Sequence, residues 1–143
     1  ASRYTRVAAI DATSTGQLVL VWTGLVGLVV DELLDRGTET DLALLDALHA
    51  RAARHVGDPG RVIEASGRFF DHLVERSRNP HLVRAIGTVA HALGVALADQ
   101  PGPDRLPELL DVQGQLLEAL RTRDAELGRA AMAAFQARAT AGR

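Results

Sequence analysis

Cysteine is absent from the 143 residues, which removes disulfides, thiolate metal sites and cysteine nucleophiles together. Lysine is absent as well: all 16 basic side chains are arginine, which reads as the codon preference of a GC-rich genome ahead of any role in phosphate recognition. Positive charge is not in excess, since the net charge is −2 and the pI is near 6.2. The chain by itself therefore has no basic field for nucleic acid, and any DNA contact must come from elsewhere. No long hydrophobic run is present. The longest, residues 18–30, is interrupted by Thr23, Gly24 and Gly27 and falls short of the ~20 residues that span a bilayer. No basic segment with a cleavage site precedes it, so the expected location is the cytoplasm, without membrane association.

What is present points to helices. The length suits one domain of ~100–200 residues, large enough for one continuous core. Ala, Leu and Arg dominate, while aromatics reach only 3%. Residues 1–16 show no periodicity and read as a linker or tail, with the folded domain over 17–143. Residues 17–36 are apolar on nearly every side up to Asp31, the pattern of a helix at the centre of a bundle. A strand over 18–22 fits the β-branched alternation, but the run continues with helical spacing and no partner strand follows.

Gly37 ends that helix, and Thr38 with Asp41 supplies an N-cap and an acidic first turn for the next, which runs to about Val56. Gly57-Asp58-Pro59-Gly60 is a turn. A third helix over 61–78 places Val62, Ile63, Ser66, Phe69, Phe70 and Leu73 on one face. Asn79-Pro80 breaks the chain before a fourth helix to about Ala98, with a kink expected near Gly87 or Gly94. After Gln100-Pro101-Gly102-Pro103 come two amphipathic helices joined at 121–124. Leu109, Gln113, Leu116, Leu117 and Leu120 share one face of the first, so an amide sits inside an apolar stripe. Leu127, Ala131, Ala134 and Phe135 share a face of the second. The fold class is all-α, an antiparallel bundle of six or seven helices.

Catalytic signatures are missing: there is no glycine-rich phosphate loop, GxSxG elbow or HExxH helix, and the chain reads as a non-enzyme. His49, His55, His72, His81 and His91 include no i,i+4 pair to hold a metal on one helix. His91 stands out among them because Ile86, Val89 and Leu93 surround it in sequence.

The stretch from Phe69-Phe70 through Leu73 to Asn79-Pro80, followed later by LLEALRTRDAELGRAAMAAF, resembles the FCD domain of FadR-type GntR-family transcriptional regulators. The resemblance covers residues 18 to about 138 and is strongest at those two segments. It implies effector binding, homodimerisation, and DNA contact only through an N-terminal winged helix-turn-helix, absent from these residues. In that family an Asp, and a His one turn later, on the third helix, with two later histidines, hold a divalent metal. Those positions fall on Ser66, Phe70, Gln113 and Phe135, so the resemblance implies that the metal site has been lost and that no cofactor is bound.

Relatives' Arg and Glu positions on the first helix fall on Trp22 and Val26, which would make the cavity more apolar. The implied pocket residues are Trp22, Ser66, Phe70, His91, Gln113 and Phe135. Two accounts stay open. Either the site is re-lined for a small, fairly apolar effector with Ser66 and Gln113 as polar anchors, or Phe70 and Phe135 fill it and the bundle is a stand-alone dimerisation or interaction module.

Overall fold

Polar junctions cut the chain into helices, and each junction supplies the groups that helix ends lack. The computed structural model describes residues 12–98 and 106–141. It contains α1 (Ala12–Arg36), α2 (Glu39–Arg54), α3 (Pro59–Glu75), α4 (Pro80–Ala98), α5 (Leu106–Thr122) and α6 (Ala125–Ala141) in an antiparallel bundle, with no strand among the described residues. Residues 1–11 and the Gln100-Pro101-Gly102-Pro103 loop lie outside the described residues.

Thr38 and Asp41 form a capping box: the Asp41 amide donates to the Thr38 hydroxyl at 3.2 Å and the Thr38 amide to the Asp41 carboxylate at 3.1 Å. Asp58 caps α3 with Pro59 already inside the first turn, so that helix starts two residues before the expected Arg61, because proline's fixed φ suits a first helical position. The Asn79 side chain accepts from the His81 and Leu82 amides and opens α4, which then runs through Gly87 and Gly94 without the expected break. Helix α1 also starts early. It includes residues 12–16, expected to be linker, and Thr15 and Gly16 are buried.

The α5–α6 turn is tight. Arg123 adopts φ 54°, and the Asp124 amide returns to the Ala119 carbonyl at 2.9 Å, a Schellman-type ending with arginine where glycine is usual. The left-handed conformation costs roughly 1–2 kcal/mol for a residue with a Cβ. It is offset by the guanidinium, which donates to the Leu34 carbonyl at 2.6 Å and the Gly37 carbonyl at 3.3 Å, satisfying the end of α1.

Helix α1 packs on α4, α6, α5 and α3, sending Val19, Trp22, Val26, Val29, Val30 and Leu33 inward. It is less enclosed than its composition suggests, since Leu20, Val21 and Leu28 stay about half exposed, away from the other described helices. Residues 14–36 are long and apolar enough, by length and composition alone, to cross a membrane. Nearly half of that window is buried inside the bundle, the position of a core helix. Helix α6 is rotated from the expected face: Ala134 is exposed, whereas Gly128, Ala131, Met132 and Ala139 are buried. The close approach expected of the alanines occurs at Gly128, where an added Cβ would sit 3.3 Å from Val30.

One end of the bundle is locked by charge. Glu32 of α1 accepts from the Arg36 guanidinium at 2.6 Å, the Ser77 hydroxyl at 2.6 Å and the Arg78 amide at 3.0 Å. Arg36 also donates to the Arg76 carbonyl, and Arg76 pairs with Asp41 at 3.0 Å. Desolvation raises the Glu32 pKa, but these donors and the Arg36 charge outweigh it and bring the value down from 4.5 to about 2. A carboxylate depressed in the folded state stabilises the fold above its unfolded pKa, and that stability is lost as pH falls through the folded one. Urea unfolding should therefore show stability falling from about pH 5 to about pH 2, with Glu32 contributing on the order of 2 kcal/mol. Glu32→Gln should lower stability at neutral pH and flatten that slope; an unchanged slope would refute the role given to Glu32.

Candidate functional site

Helices α3 and α4 follow one another in sequence yet touch only sparsely, and the gap between them is a cavity of about 420 Å³. Pockets for small molecules commonly measure roughly 300–1,000 Å³. Trp22 reaches it from α1, Ser66 and Phe70 from α3, Ile86 and Leu93 from α4, and Phe135 from α6. The start of α5 closes another side with Leu106 and Leu109.

The space exists because side chains are missing there. Gly87, Ala90 and Gly94 repeat at helical spacing along the cavity face of α4, and Gly67 lies across from them on α3. A Cβ added at Gly67, Gly87 or Gly94 would meet nothing within 4 Å. The glycines expected to bend α4 instead leave room beside a continuous helix.

The aromatic side chains gather on part of the wall. Trp22 and Phe70 meet edge to face with centroids 4.9 Å apart, and Phe135 tilts against Trp22 at 5.9 Å. Packed on one another in this way, the rings line the cavity without filling it. Four of the six residues read from the sequence, Trp22, Ser66, Phe70 and Phe135, are thus brought together.

The other two are placed differently. His91 is exposed and does not line the cavity, because the α4 stripe through Gly87, Ala90 and Gly94 faces inward and His91 lies one residue off it. Gln113 does not reach the cavity surface. It is fully buried behind Ser66, its amide nitrogen donating to the Ser66 hydroxyl at 2.8 Å. Its carbonyl oxygen lies 3.0 Å from His49 Nδ1, and since that oxygen only accepts, Nδ1 carries the proton. His49 was not legible as a site residue, although it lies on the inward face of α2 between Leu45 and Ala52, where a ring contact with Phe69 also holds it.

These residues do not fit a divalent metal. Ser66 is committed to an amide, Phe70 and Phe135 offer no donor, and among the described residues no three His, Cys, Asp or Glu side chains converge. Among the described residues, the charged ones on the wall are all acidic: Asp71 and Glu75 on α3, and Glu108 on α5. Burial, with the Glu75 charge one turn away adding to it, raises the Asp71 pKa above the ordinary value.

With this geometry in place, comparison with known protein families finds one match. The FCD domain family matches residues 23–138. The solved structure of McbR/YncC from E. coli is similar at a TM-score of 0.76 and 23% identity, covering 92% of this chain and 65% of that one. Lar, which controls the expression of the Listeria monocytogenes agr system and mediates virulence, is similar at 0.73 and 21%, covering 93% of this chain and 64% of that one. At these identities the likeness is one of fold, and the chain spans just under two thirds of either protein. No curated protein matches.

The Gln113 network makes its own test. Gln113→Leu strands the Ser66 hydroxyl and the His49 ring and should cost about 1–3 kcal/mol in urea unfolding. Adding Ser66→Ala removes one stranded group and should recover part of that loss; full additivity of the two substitutions would show that the groups are not coupled.

Proposed function

The chain belongs to the FCD domain family, and from that premise we propose that it is the ligand-sensing and dimerisation domain of a GntR-family, FadR-subfamily DNA-binding transcriptional regulator. Its effector is small, fairly apolar and bound without a metal. The observation that carries this reading is the aromatic-lined cavity of about 420 Å³, walled by Ser66, Phe70 and Phe135, three of the four positions where the family resemblance places metal ligands. A bundle serving only as an interaction module would have no use for such a space, and filling it with side chains would stabilise the fold.

DNA is contacted through a winged helix-turn-helix outside these residues, and the regulator works in the cytoplasm. Lar controls the expression of another system, which supports a regulatory role by analogy. Effector binding acts on DNA affinity only if the effector binds two arrangements of a dimer unequally. The exposed side of α1, with Leu20, Val21 and Leu28, suits a symmetric contact between two copies.

Decanol serves as a neutral apolar probe of the cavity. At ~100 times its Kd it should stabilise the chain by ~2.7 kcal/mol in thermal unfolding. Gly87→Leu with Gly94→Leu places side chains into the cavity, and the pair should abolish that gain while leaving the fold intact, since leucine is the better helix former by about 1 kcal/mol per site. Absence of any stabilisation in the parent chain would return the bundle to an interaction role. Light scattering after size exclusion tests the other half: the parent should run as a dimer and Leu28→Glu as a monomer, and a monomeric parent would remove the α1 contact.

A further inference from the structure

If the cavity is an effector site, the charges on its wall decide which effectors it accepts. Asp71, Glu75 and Glu108 all line it, and no arginine or histidine among the described residues does so. None of the three carboxylates forms an ion pair with a described basic side chain. The arginines flanking the first two on α3 are turned to other partners, Arg68 to Glu64 at 3.2 Å and Arg76 to Asp41 at 3.0 Å. Asp71 and Glu75 stand one turn apart, so their like charges repel, and the raised pKa of Asp71 reflects burial and that repulsion. A bound cation would relieve the strain that an anion would deepen.

The apolar part of the wall is compatible with the same occupant. Trp22, Phe70 and Phe135 form the aromatic surface of the cavity, and aromatic rings attract alkyl chains by burial and ammonium groups through the ring quadrupole. A carboxylate in the cavity would find no basic partner among the described residues of the wall. It would also lie near three carboxylates, at separations over which salt screens only partly, the Debye length being ~8 Å at physiological ionic strength. Rejection of the wrong charge is here as informative as attraction of the right one.

We propose that this cavity binds a hydrophobic cation, an amphipathic amine or quaternary ammonium compound, with its apolar body among Trp22, Phe70 and Phe135 and its charged head toward Asp71, Glu75 and Glu108. This rests on the effector-site reading above and adds to it the sign of the ligand's charge.

Three probes of equal chain length and different heads test it: decylammonium, decanol and decanoate, titrated calorimetrically into the purified chain near neutral pH. Decylammonium should bind about tenfold more tightly than decanol, and decanoate least. Asp71→Asn with Glu75→Gln and Glu108→Gln should bring the three affinities within about threefold of one another. Decanoate binding as tightly as decylammonium would overturn the cation assignment and leave the cavity as an effector site. A cation preference that survives in the triple variant, or in Gly87→Leu with Gly94→Leu, would place the ammonium elsewhere and overturn it too. Failure of all three probes to bind the parent chain would overturn both this inference and the effector-site reading beneath it.

Discussion

A fully buried primary amide has two N–H donors and a carbonyl to satisfy, and the bundle is arranged so that Gln113 meets partners on two other helices. Ser66 of α3 takes one hydrogen, and His49 of α2 donates to the oxygen. Both bonds hold only if α2, α3 and α5 keep one register, because moving any of them by a residue would leave polar atoms stranded in a low-dielectric interior. With that register set, Phe70, one turn beyond Ser66, meets Trp22 edge to face. The polar network lies behind the cavity wall and holds the ring that forms it.

The cavity itself is a deficit of side chains on one helix facing an aromatic group on others. Protein interiors normally close such gaps, since every lost contact weakens packing. Here α4 keeps glycine where larger residues would make a better helix and a fuller core. Retaining the gap costs stability, which suits a volume meant to be occupied part of the time.

Signals that act locally are legible in the sequence, and those that act across the fold are not. The Thr38–Asp41 cap, the Pro80 start of α4, and the Asp124 carboxylate that accepts from the Leu127 amide all act within a turn of their own position. Their chemistry is visible in a few consecutive residues. Trp22, Ser66, Phe70 and Phe135 were brought together by family resemblance, which carries spatial information that periodicity lacks. His49 carries no signal of its role in the sequence, because its partner lies 64 residues away and no local pattern records such a bond. His91 misled because apolar neighbours in sequence do not fix which side of a helix a residue takes. Residues 12–16 read as linker because Ser, Thr and Gly favour turns, a local preference that tertiary packing overrides here by burying Thr15 and Gly16.

The grip of Glu32 on Ser77 and Arg78 has a mechanical side. It clamps the junction between α3 and α4, the two helices that bound the cavity and barely touch along their lengths. The two helices are thus tied together at one end through Glu32 and separated along the rest of their length, so the width of the gap is set by what lies between them and not by contact of one helix with the other. Glu32 sits on α1, the same helix that carries Leu20, Val21 and Leu28 on its exposed side, so the wall of the cavity and that outer surface share one rigid element.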